Sequence, residues 1–149
     1  MPSVSALSRW LQFVAILRVF SVVLGYFYPD TLAANLYNGD SAQVSDLQAR
    51  TFATWTLTSC MLCLLCARNP SIVPIYSATL GSFLIALLHF SIEVFVYNTV
   101  SVKSAIQPMV VASISSLWMG AGWNYYTSYV SSAPAVSEET QVTHTDKTD

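Results

Sequence analysis

The chain has 149 residues, 54% of them hydrophobic and only 9% charged, and its six Lys and Arg against eight Asp and Glu give a formal net charge of −2. Soluble domains carry about 25% charged residues, and so short a chain cannot enclose this much apolar surface, so the composition indicates an integral membrane protein. It leaves no length for a separate soluble catalytic domain, and with no basic patch or nucleic-acid motif it argues against binding DNA or RNA.

The first apolar run extends from Trp10 to Tyr28 and stops at Pro29-Asp30. It is close to the ~20 residues that cross a bilayer, with Tyr26, Phe27 and Tyr28 forming an aromatic belt at its end. Arg18 interrupts it and no small-residue cleavage site follows, so it reads as a retained span rather than a signal peptide. Residues 29–50 read as the longest polar loop, with a turn at Asn38-Gly39-Asp40. Ser45, with Gln48 three residues on, resembles a cap opening the next helix. The second span is expected over about 51–67, ending at Arg68-Asn69-Pro70. Pro70 or Pro74 then suits the first turn of a third span over about 75–97. A short loop with Lys103 leads to a fourth span over about 105–130, with Pro108 near its start and Trp123, Tyr125, Tyr126 and Tyr129 at its far interface.

The expected fold is therefore all-α: a bundle of four transmembrane helices over residues 1–130, with short loops and a disordered polar tail over 131–149. Four spans place both termini on one face. Arg9 and Arg68 against Arg50 and Lys103 divide the positive charge evenly, with only a slight lean toward cytosolic termini.

Cys60, Cys63 and Cys66 have the spacing of a metal or cluster motif. A straight helix cannot wrap three thiolates round one metal and no fourth Cys exists, so they read as small buried hydrophobes. No cofactor or metal site is expected. His89 and Glu93 share one helix face. The main reading is an interhelical polar contact, with a proton relay as the alternative. Arg50 opens the second helix at the same membrane depth as Glu93, so an Arg50–Glu93 pair is expected, and Arg18 lies within reach of His89 or Glu93. Thr51, Trp55 and Thr58, with Thr54 beside them, form a stripe whose hydroxyls should meet another helix, inside the bundle or on a partner. Ala112, Ser116 and Gly120 have small-xxx-small spacing, as Ser21 and Gly25 do more weakly. Internal packing is the default reading, and a homodimer or partner contact the alternative. There is no phosphate-binding loop, nucleophile elbow or histidine cluster.

Leu47–Leu57 (Leu-Gln-Ala-Arg-Thr-Phe-Ala-Thr-Trp-Thr-Leu) and His89–Thr99 closely resemble the ergosterol biosynthetic protein 28 family. The resemblance rests on Ala49-Arg50-Thr51-Phe52, Thr54-Trp55-Thr56, His89-Phe90, Glu93, Tyr97 and Thr99. Leu36-Tyr37 and Pro108 also fit, and the likeness runs from Trp10 to about Tyr126. Ala53 departs from it, standing where the family pattern has Gly. The resemblance implies a non-enzymatic, multi-pass scaffold of the endoplasmic-reticulum membrane. Its partners would be the sterol C-4 methyl oxidase, the C-3 dehydrogenase/decarboxylase and the 3-keto reductase, together with other late sterol enzymes. Two other readings compete: a sterol-binding or transport protein with His89 and Glu93 lining an intramembrane cavity, and an enzyme subunit lending a catalytic His or Glu.

Overall fold

The computed structural model describes residues 4–40 and 44–128. The described residues are helical and loop segments, with no strand among them. In chain order the helices are α1 (Val4–Phe27), α2 (Pro29–Asn35), α3 (Asp46–Arg68), α4 (Val73–Ile92), α5 (Val102–Ala121) and α6 (Trp123–Thr127), with a π-helical turn over Glu93–Tyr97 continuing α4. Among the described residues three segments are long and apolar enough to cross a membrane: Val4–Phe27, Asp46–Arg68 and Val73–Tyr97.

The ends of these helices follow local chemistry. Ser45 caps α3, its hydroxyl accepting the Gln48 N–H at 3.2 Å, so the helix opens five residues before the apolar run. Ser101 caps α5 in the same way through the Ser104 N–H at 3.3 Å. Pro74 lies in the first turn of α4, where its missing N–H is harmless.

The structure corrects the sequence reading at two elements. The supposed polar loop after Tyr28 contains α2, started by Pro29 with Asp30 in its first turn. The last long helix begins at Val102 and stops at Ala121, so Pro108 lies inside it and cannot give an N–H to the Ser104 carbonyl. At Gly122 the chain turns, and Tyr126 folds back to accept the Trp118 Nε1–H at 3.2 Å. Tyr129 and Val130, at the expected end of the fourth span, and the tail over 131–149 lie outside the described residues.

α1 packs along α3, and α4 packs along α5. The first pair approaches so closely that a methyl on Gly25 would stand 2.8 Å from the Ala49 carbonyl oxygen and 2.8 Å from the Ala53 methyl. The core between the pairs is built from Leu7, Leu11 and Val14 of α1, the three cysteines of α3, Tyr76 and Phe83 of α4, and Ala112 and Met119 of α5. All three thiols are free and buried, and Cys60 donates to the Ala15 carbonyl at 3.4 Å. Trp10 of α1 donates to Ser115 Oγ of α5 at 3.0 Å and stacks on Trp118. These contacts close the bundle at the end where α1 begins.

Candidate functional site

At the opposite end, two loops distant in sequence are bonded together. The Gly39 N–H donates to the Thr99 carbonyl at 3.0 Å, and the Ser101 N–H donates to Asn38 Oδ1 at 3.1 Å. A Cβ at Gly39 would run into the Asn98 carbonyl, so this position admits no side chain. Asn98 takes a left-handed conformation, φ 55°, and gives its N–H to the Glu93 carbonyl, which ends the π-helical turn.

Tyr37 lies at the centre of this junction, with 3% of its surface exposed. Its ring meets Phe52 of α3 edge-on at 6.0 Å, and its hydroxyl lies 3.3 Å from His89 Nε2. His89 Nδ1 is 3.8 Å from Glu93 Oε1, and Thr99 Oγ1 donates to Glu93 Oε2. His89 thus stands between Tyr37 and Glu93, one ring nitrogen toward each. Burial first, and the Glu93 charge second, push the Tyr37 phenol above its ordinary value, so it remains a neutral donor. A cleft of about 230 Å3 opens beside the junction, lined by Tyr37, Asp40, Gln48, Glu93 and Tyr97 among others.

Other singled-out residues lie elsewhere. Arg50 is exposed, and Glu93 meets His89 and Thr99 in its place. Thr51, Thr54, Trp55 and Thr58 are exposed, Trp55 also lining part of the space between the helix pairs, while Ala49, Ala53, Thr56 and Cys60 form the buried face of α3. The threonine hydroxyls return to their own helix, and that of Thr54 meets a second one as well. Thr51 bonds the Leu47 carbonyl at 2.9 Å, Thr54 that of Arg50 at 2.9 Å and Thr58 that of Thr54 at 3.1 Å, all one turn back. Thr54 also meets the Tyr26 hydroxyl at 2.8 Å. Of the small-residue stripe on α5, Ala112 is in the core, Ser116 has a buried Oγ with no partner, and Gly120 has open space around it. The close helix approach falls at Gly25 on α1 instead.

Between the two pairs lies a cavity of about 480 Å3, bounded by α1, α2 and α3 on one side and α4 and α5 on the other. Its wall is mostly apolar, from Leu17 and Leu24 to Phe52, Phe90 and Val111, with Arg18 and His89 among its polar members. Glu93 lines the cleft rather than the cavity. Arg18 reaches neither His89 nor Glu93. Its guanidinium lies over the Phe83 ring, 4.9 Å from the centroid. Among the described residues no group of His, Cys, Asp and Glu is arranged to hold a metal. The sequence singled out His89 and Glu93 but not the role of Tyr37. The available signal was an aromatic residue just before an Asn-Gly turn.

The sequence pattern of the family described as "Erg28 like protein" matches residues 7–117. The chain belongs to this family. Erg28-like relatives include ergosterol biosynthetic protein 28 of Arabidopsis thaliana, 39% identical over 80% of this chain and 91% of that protein. The Homo sapiens homologue is 38% identical over 81% of this chain and 87% of its own length, and the Saccharomyces cerevisiae protein 32% identical over 81% and 82%. No solved structure matches the chain. The Erg28-like match takes in the loop junction, both walls of the cavity and the Trp10–Ser115 closure, and stops before α6. The names of the relatives place this family in ergosterol biosynthesis.

Proposed function

We infer that this protein is a non-catalytic scaffold of the endoplasmic-reticulum membrane that holds the enzymes of sterol C-4 demethylation together. The methyl oxidase, the dehydrogenase/decarboxylase and the keto reductase are its proposed partners, with other late sterol enzymes joining them. α5, 20 residues long and paired with α4, serves as the fourth span, so both ends of the bundle lie on one side. The observation that carries this reading is where the polar groups go. Tyr37, His89, Glu93 and Thr99 bond one another and fasten two loops, which stiffens one membrane face as a platform rather than presenting a reactive group. The outward stripe of Thr51, Thr54, Trp55 and Thr58 gives partner helices a surface with hydroxyls and a large ring. Tethering raises the concentration at which each enzyme meets the previous product to about the millimolar range. The test is quantitative co-purification in mild detergent. Wild type should recover the C-4 demethylation enzymes, and Trp55→Ala should recover fewer of them at equal expression. A wild-type preparation that recovers none would refute the reading. The cavity favours a second reading, a lipid-binding role within the same complex.

A further inference from the structure

Arg18 lies near the middle of the apolar run 10–28, half-buried, on the wall of the cavity. A cation at this depth is costly and normally meets a carboxylate or a cluster of acceptors. Among the described residues Arg18 has neither an ion pair nor a hydrogen bond. Glu93 faces His89 rather than Arg18, and the contact of Arg18 is the Phe83 ring. An aromatic face steadies the charge but offers no match for five N–H donors set in a planar fork. The complement of that fork is a carboxylate, bound through two parallel hydrogen bonds. The space beside Arg18 has the size of a small-molecule site, about 480 Å3, within the ~300–1,000 Å3 usual for ligand pockets. Its walls are mostly apolar. On the α1 side Ile16 and Phe20 line it while standing 69% and 67% exposed, so it opens sideways toward lipid.

We propose that this cavity binds a lipid carboxylate, with the acid group on Arg18 and an apolar body between the α1–α3 and α4–α5 pairs. The acid has two sources, a carboxylated sterol or a fatty acid. The sterol assignment rests on the sterol-pathway reading above, whereas the carboxylate assignment does not. The site differs from the Tyr37–His89–Glu93–Thr99 junction, which takes no part in holding the acid.

The full chain, purified in mild detergent, is labelled with three photoreactive probes: a sterol carrying a ring carboxylate, its methyl ester, and an 18-carbon fatty acid. On wild type the sterol acid should label at least tenfold more than the ester, with adducts on α1 and α4. Arg18→Gln should bring the acid down to the level of the ester, and Arg18→Lys should keep part of the preference. A monodisperse elution profile checks the fold of each variant, and the acid-against-ester comparison needs no variant. Stronger labelling by the fatty acid supports the carboxylate site and assigns it to bulk lipid acids. Equal labelling by acid and ester, or by wild type and Arg18→Gln, overturns the proposal. So does failure of every acid to label while Arg18→Gln loses the co-purifying enzymes, because a carboxylate of a partner protein would then be the counterion. Labelling that persists where no enzyme co-purifies leaves the site standing and removes the scaffold reading.

Discussion

Gly25 and Gly81 are both glycines within apolar helices, and their surroundings give substitutions opposite signs. A methyl at Gly25 would stand 2.8 Å from the Ala49 carbonyl oxygen and 2.8 Å from the Ala53 methyl, where comfortable contact is ~3.5–4.0 Å. α1 would have to lift from α3 over the lower half of their crossing. Overpacking of this kind costs about 1–3 kcal/mol, and replacing Gly by Ala in a helix returns about 1 kcal/mol. Gly25→Ala is thus a blunt test, and Gly25→Val, bulkier and a poorer helix former, should lose about 3 kcal/mol. At Gly81 a methyl meets nothing within 4 Å, so Gly81→Ala should keep the whole propensity gain of about 1 kcal/mol. With ~2–4 °C per kcal/mol for a domain of this size, thermal unfolding in detergent should fall by roughly 6–12 °C for the first and rise by roughly 2–4 °C for the second. In a Gly25→Ala background, Ala53→Gly removes one of the two clashes and should recover part of the loss, a coupling that a double-mutant cycle isolates. Shifts of the same sign at Gly25 and Gly81, or a Gly25→Val protein that melts with wild type, would refute the close α1–α3 crossing.

Neighbouring serines on α5 should also part ways. Ser115→Ala strands the Trp10 N–H and should cost about 1–3 kcal/mol, whereas Ser116→Ala removes a buried hydroxyl without a partner and should leave stability unchanged or raise it by up to about 1 kcal/mol. Tyr37→Phe should cost about 0.5–1.5 kcal/mol at neutral pH. Because the phenol of Tyr37 is raised above its ordinary value of 10.0, the folded chain holds that proton after the unfolded chain has released it. Stability therefore falls as pH rises past about 10, and Tyr37→Phe should flatten that alkaline decline in a pH series of melts. Glu93→Gln keeps an acceptor for Thr99 and should cost less than about 1 kcal/mol. Glu93→Ala should speed hydrogen exchange at the Gly39, Thr99 and Ser101 amides, and unchanged protection there would count against the junction.

The long helices are written in the chain as apolar runs about the thickness of a bilayer, and the cap at Ser45 is legible from its spacing to Gln48. α2 is not, because seven residues with three polar side chains and a proline resemble any loop. Of the hydroxyls on the α3 stripe only that of Thr54 meets another helix of the bundle, for a definite reason. Threonine hydroxyls in a helix can return to the carbonyl one turn back, so polarity alone does not mark a packed face. Pairing was legible only where partners are one turn apart, as at His89 and Glu93. Tyr37 and His89 are separated by 52 positions, and no local periodicity brings them together. The Arg50–Glu93 pairing failed because depth in the membrane fixes height along the bundle but not the side of the helix from which a side chain leaves.

Bridges span the gap between the pairs of helices, among them the Trp10–Ser115 bond near one end, the Thr79–Leu62 bond from α4 to α3, and the Asn38-Gly39 to Thr99-Ser101 bonds at the other end. The cavity lies between these fixed points, as a window lies in its frame. A frame held at top and bottom keeps its opening at one width without anything inside it. A lipid acid entering as proposed above would pass through the side along α1 by rotation of exposed side chains such as Ile16 and Phe20, on the nanosecond scale of such rotamers. The helices themselves need not swing apart, so the outer surface keeps its shape whether the window is filled or empty.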